Sequence, residues 1–134
     1  MKHTIVQPAG WAKPKGYSNG IVASGRMLFV GGQVGWDPTN PVPTFPRGFT
    51  AQFERALKNV LEVVEAAGGT GADIVRMTVY VPDKEQYIAS TRALGEVWKA
   101  LLGRHYPAMA LVEVKSLLEE GALVEIEATA VLSN

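Results

Sequence analysis

This chain has no cysteine, only two histidines and no surplus of either charge, and each shortage removes a class of chemistry. Without cysteine there is no disulfide, no thiolate nucleophile and no sulfur-ligated metal, which fits a reducing compartment such as the cytoplasm. With His3 and His105 alone, a multi-histidine zinc site or a Ser-His-Asp triad has too little to build from. Lys+Arg and Asp+Glu both number 13, so no basic excess is available to neutralise phosphates, and nucleic acid is not an expected partner. No run approaches the ~20 apolar residues of a membrane span, and the stretch from Met1 to Pro8 lacks the apolar core of a signal peptide. Gly31-Gly32 and Gly68-Gly69-Thr70-Gly71 carry neither the Walker lysine nor the G-x-G-x-x-G spacing, so they are not phosphate loops. The expectation is a cytoplasmic protein with no membrane contact, no metal and no other cofactor.

What is present suits one domain over residues 1–134 around a single core. Hydrophobic residues make up 47% of the 134 positions and charged residues 19%, with a mean hydropathy of +0.07. So few charges leave apolar surface to be shared with other subunits.

The pattern along the chain predicts an α+β protein. Thr4–Val6 reads as a short strand, and Trp11 to Gly20 as a loop. Ile21–Ser24 and Met27–Val30 flank Gly25-Arg26, which predicts a tight hairpin between them. Prolines 38, 41, 43 and 46 make residues 36–48 an irregular loop and a candidate cover for a site. Phe53, Leu57, Val60, Leu61, Val64 and Ala67 recur at three- and four-residue steps, predicting a helix capped by Thr50 and stopped by Gly68. Ile74–Val81 reads as a strand. Asp83 and Gln86 resemble a capping box opening a second helix, with a stripe of Tyr87, Thr91, Leu94, Trp98 and Leu101 and a stop at Gly103. Strands from about Met109 to Lys115 and Ala122 to Leu132 complete the order βββαβαββ, a mixed sheet of five to six strands.

Two helices cover one face of such a sheet and leave nothing for the other. Arg76, Thr78, Tyr80, Leu111, Glu113, Glu125, Glu127, Thr129 and Val131 are expected there. That mixture is too apolar for free surface and too polar for a monomer core, so it predicts association of identical chains with any site where subunits meet. Glu125 and Glu127 lie inside a strand, where a carboxylate is hydrated, paired or held in a pocket that tunes its proton affinity. With the other constellations eliminated, the chemistry left is carboxylate acid-base work on a small molecule, with glycine backbone donors and aromatic walls.

These residues resemble the YjgF/RidA family over nearly the whole chain. The resemblance is carried by Gly16-Tyr17-Ser18, by Leu28 to Gln33 followed by Asp37-Pro38, and by Gln52, Asn59 and Ala66-Ala67-Gly68. It continues through Asp73 to Val81, Pro107-Ala108, Val112-Glu113-Val114 and Val124 to Ala128. It implies a chorismate-mutase-like fold with two helices on one face, a homotrimer, and clefts between subunits in which enamines or imines are hydrolysed to ammonia and a keto acid. By the same resemblance Glu125 orients or activates the attacking water, Gly32 lies beside a carbonyl or amide that holds the substrate, and Tyr17 and Gln33 belong to the site. Met109 stands where the deaminase subgroup carries a carboxylate-clamping arginine, a contact worth about 1.5–3 kcal/mol, and Thr91 stands where asparagine is frequent.

The departure at Met109 leaves alternatives. Arg92, Arg104, His105 and Lys115 are candidate substitute cations. A methionine wall suits a larger or less acidic ligand, and Trp11 and Trp36 are placed to stack on a planar one. Gly16 to Gly20, Gly35-Trp36-Asp37 and Tyr106 to Met109 also look like the aminomuconate-deaminase-like branch. A metabolite-binding protein without catalysis is the main competing class, and an endoribonuclease or translation inhibitor the next.

Overall fold

The structure is a computed structural model that describes residues 3–133. Its strands are β1 (Thr4–Val6), β2 (Gly20–Val22), β3 (Arg26–Val34), β4 (Ile74–Val81), β5 (Ala108–Glu113) and β6 (Glu125–Leu132). Its helices are α1 (Phe49–Ala66), α2 (Lys84–Ala89) and α3 (Thr91–Leu102). Four strands form a mixed sheet in the order β3-β6-β4-β5, antiparallel except for β4-β5, while β1 and β2 pair apart from it.

The apolar stripe of α1 forms one side of the core. Phe49, Phe53, Ala56, Leu57, Val60 and Val64 are buried against Met77, Val79 and Val81 of β4 and Ile126, Ala128 and Ala130 of β6. Each large side chain so buried stabilises the fold by about 1.5–3 kcal/mol. The helix stops as the sequence predicts. Gly68 takes φ 88° and donates to Glu65 O at 2.9 Å, and Gly69 donates to Val64 O at 2.9 Å, which satisfies the last carbonyls. Its start differs, because the capping position is Gly48 and Thr50 lies inside the first turn with no side-chain cap.

Three further expectations change. The Ile21–Val30 segment is not a hairpin: β2 pairs with β1, and β3 pairs with β6. Gly25 serves close approach rather than a turn, since a Cβ there would collide with the Leu132 carbonyl oxygen, and the same crowding buries Val131. The second helix is interrupted at Ser90, and Asp83 caps α2 by accepting from the Glu85 N–H rather than in a box with Gln86. Finally, Leu111 and Glu113 pair in register with Val79 and Val81 of the parallel neighbour β4, so they share the helix-covered face. The opposite face carries Arg76, Thr78 and Tyr80 of β4, Ala108, Ala110 and Val112 of β5, and Glu125, Glu127 and Thr129 of β6. Phe29 and Met27 of β3 pair with Thr129 and Val131, and no element covers that face among the described residues.

Candidate active site

Glu125 opens β6 on the uncovered face, opposite Tyr80 of β4, and is half-buried. Its position depends on an irregularity in β3. Val30 pairs with Ala128 but Gln33 pairs with Ile126, so β3 carries one residue more than its partner across Gly31-Gly32, a bulge. Gly32 makes room for this side chain, because a Cβ there would collide with Glu125 Oε2 and push the carboxylate aside. The carboxylate therefore rests directly over the backbone of the bulge. Gln33 bends back along its own strand, its Nε2 donating to Gly31 O at 3.3 Å. The ion pairs found among the described residues join other groups, and none engages Glu125.

Two buried polar side chains of α1 fix this corner. Asn59 donates to Val34 O at 3.1 Å and Trp36 O at 3.0 Å, gripping the end of β3, and accepts from Arg55 Nε at 2.9 Å. Gln52 donates to Gly121 O at 3.0 Å and accepts from Leu123 N at 2.8 Å, gripping the segment that leads into β6. Gly35 lets the chain pass against the Gln52 backbone, where a Cβ would collide. Beside Glu125 on the same face, Glu127 Oε2 accepts from Tyr80 OH at 3.0 Å, and that bond pushes the phenol above its ordinary value of 10.0. Phe29, Arg76, Thr78, Glu127 and Thr129 line a shallow cavity of about 190 Å³ there.

Thr91 and Met109 meet elsewhere. They border a second cavity of about 190 Å³ between α3 and β5, whose walls include Phe53, Leu94, Trp98, Tyr106 and Leu111. Met109 also borders an adjoining space of about 230 Å³ with Tyr17, Ser18 and Arg76. The Tyr17 loop is tied to the start of β5, since Ser18 N donates to Pro107 O at 3.0 Å and Ser18 Oγ to Tyr106 O at 2.5 Å. Trp11 and Tyr17 share a wider concavity of about 530 Å³. Trp36 joins none of these cavities; it packs on Phe45 with ring centres 5.9 Å apart.

The substitute cations do not gather at Met109. His105 Nε2 sits 2.6 Å from Ile74 O, and Arg92, Arg104 and Lys115 border none of the four cavities. Arg76, which the sequence places on the open face without a site role, is the cation that lies near Met109 and Tyr17. Its signal is positional, a lone positive residue at an outward register position of a central strand.

The site residues thus form two groups in one chain. Met109 pairs with buried Met77 and so belongs to the helix-covered face, whereas Glu125 pairs with Tyr80 on the other, with β4 between their strands. Two strand spacings, about 10 Å, and the thickness of the sheet separate them.

The class this defines is a small α+β protein whose carboxylate, seated on a glycine bulge, lies on a sheet face left open for another surface. The family model described as endoribonuclease L-PSP matches residues 10–132, and the chain belongs to that family, the YjgF/RidA family. It is similar to a 2-iminobutanoate/2-iminopropanoate deaminase of Rattus norvegicus, 32% identical over 115 residues that cover 86% of this chain and 79% of that one. A RutC family protein of Haemophilus influenzae is 36% identical over 108 residues, 80% of each chain. Among solved structures, a Rid family protein of unknown function from Yersinia pestis, YyfB, superposes with a TM-score of 0.85 at 32% identity, covering 98% of this chain and all of that one (100%).

Proposed function

We propose that this protein is a RidA-like deaminase that hydrolyses a small imine or enamine in a cleft shared by neighbouring copies of the chain. The observation that carries the proposal is the seating of Glu125 on the Gly31-Gly32 bulge, half-buried and outside every ion pair found among the described residues. A carboxylate so placed accepts a proton from water as the water oxygen bonds to the imine carbon, and passes that proton to the nitrogen to give the neutral carbinolamine. Glu125 then takes the carbinolamine hydroxyl proton and delivers it to the nitrogen as the carbon–nitrogen bond breaks, so that ammonia and a carbonyl product leave. The names of the deaminase relatives support this reading.

One chain cannot close a small substrate between Glu125 and the Thr91 and Met109 group, which lie on opposite sides of its sheet. A second copy that brings its Glu125 and Gly32 to the first copy's Met109 edge completes the site. The open face supports such an assembly, proposed here as a homotrimer, because Phe29 is 71% and Met27 60% exposed on it. A large apolar side chain gains more by meeting a neighbour than by staying in water. Equal numbers of acidic and basic residues weigh against an RNA substrate.

The test is ammonia release from imines generated in situ. Glu125→Gln should slow turnover by about 10²-fold or more, and Gly32→Ala, which drives the carboxylate off the bulge, should do the same. Full activity in Glu125→Gln would remove the residue from catalysis, and no ammonia from any imine would favour a binding protein.

A further inference from the structure

We propose that the cavity between α3 and β5 selects a neutral, ring-sized group, so that the substrate carries an aryl or branched hydrocarbon substituent and no carboxylate on its imine carbon. This rests on the imine-hydrolysing reading above and supplies its substrate class.

The lining is the first reason. Phe53, Leu94, Trp98, Tyr106, Met109 and Leu111 dominate it, and no side chain charged at neutral pH takes part. A carboxylate entering would lose its water and find no cation in return. Arg76, the cation in the adjoining space, stands at an outward position of β4 on the other face of the sheet.

Size and shape are the second reason. A void of about 150 Å³ with similar walls admits benzene, and this one measures about 190 Å³. Trp98 and Tyr106, both in its lining, stack nearly parallel, 2° apart with centres at 6.1 Å, so aromatic surface makes up part of its wall.

Gly95 is the third. It lies inside α3, where glycine disfavours the helix relative to alanine, yet a Cβ built on it meets no atom within 4 Å. Packing does not demand the glycine; its missing side chain is part of the space. The reaction supplying such a substrate is the dehydrogenation of a primary amine, rather than of an amino acid, to a ketimine. There the carbon bearing nitrogen gives up a hydride to a flavin or nicotinamide of the supplying enzyme, and the nitrogen gives up a proton. Hydrolysis then consumes one water and converts the ketimine to the ketone and ammonia, with no change of oxidation state.

Acetophenone and benzoylformate are aryl ketones that differ in a methyl against a carboxylate, and calorimetric titration of each into the assembled protein tests the pocket. Acetophenone should bind at least tenfold tighter. Gly95→Leu, which fills the space and favours the helix, should lose that binding tenfold or more with a melting temperature no lower than the wild type's, and Met109→Arg should reverse the preference. Ammonia release should favour the imine of α-methylbenzylamine over that of phenylglycine by a similar factor. The proposal is overturned if benzoylformate binds better to the wild type, if neither ketone binds because a neighbouring copy fills the space, or if Gly95→Leu changes nothing. Ketone binding of the expected pattern without hydrolysis of any imine would sink the enzymatic reading and leave the pocket standing. Glu125-dependent hydrolysis confined to imino acids would do the opposite.

Discussion

Tyr80 and Glu127 give the open face its clearest electrostatic signature. The phenol donates to the carboxylate, so ionising it breaks that bond and sets phenolate against Glu127, and the folded pKa rises above 10.0. Because the folded value is the higher one, the stabilisation is complete below the ordinary tyrosine value and is lost as pH climbs through the raised one. Tyr80 should contribute a step above the ordinary tyrosine value in an ultraviolet absorbance titration. Tyr80→Phe should delete that step, and Glu127→Gln should move it down toward the ordinary range. An unmoved step in Glu127→Gln would mean the bond does not form. At this scale the sequence was legible where alternation governs: the period of two along β6 put Glu125 and Glu127 on the open face, whereas the bulge at Gly31-Gly32 was not legible, because it exists only in the pairing of β3 with β6. Arg76 was visible as an outward residue but not as a neighbour of Tyr17 and Met109, because that proximity depends on which strand lies beside β4.

Among the elements, α1 does more than cover the sheet. Its apolar stripe could be read from sequence, yet the same helix buries Gln52 and Asn59, which a stripe argument assigns to solvent. They are buried because the chain on either side of the site has no regular partner: Val34 and Trp36 leave β3, and Gly121 and Leu123 approach β6, each presenting backbone groups inward. A buried amide satisfying two carbonyls cannot be shortened without stranding them. Asn59→Ala should therefore cost about 2–4 kcal/mol in denaturant unfolding and lower the turnover that depends on Glu125. A loss below about 0.5 kcal/mol, the scale of an ordinary surface substitution, would show that water replaces the amide. Pairing was the least legible property. Ile21–Val30 has the composition of a hairpin, and only the distant β6, reached through Gly25, decides otherwise. The facing of Leu111 and Glu113 was likewise hidden until the parallel register with β4 was known.

For the whole molecule, the proposed site turns on the placement of Glu125 and Met109 on opposite faces of one sheet. A neutral chain with few charges has little long-range repulsion to keep copies apart, and its open face offers Phe29 and Met27 amid polar groups that can pair across an interface. Placing a charge at the centre of that apolar area tests whether assembly and catalysis share a cause. Phe29→Glu should reduce the solution mass of the proposed homotrimer from three copies to one, because it sets a second carboxylate beside Glu127 in a cavity whose single cation, Arg76, would have to be desolvated with both. Circular dichroism should stay unchanged, since the side chain is 71% exposed in the single chain and contributes little to its fold. Ammonia release should fall with the mass, although residue 29 has no part in proton transfer, because each Glu125 then lacks a neighbour's Met109 edge. Sedimentation and activity measured over the same dilution series would check this. A variant that remains fully assembled would place the interface on another surface, and an active monomer would show that one chain can bring the two groups together after all.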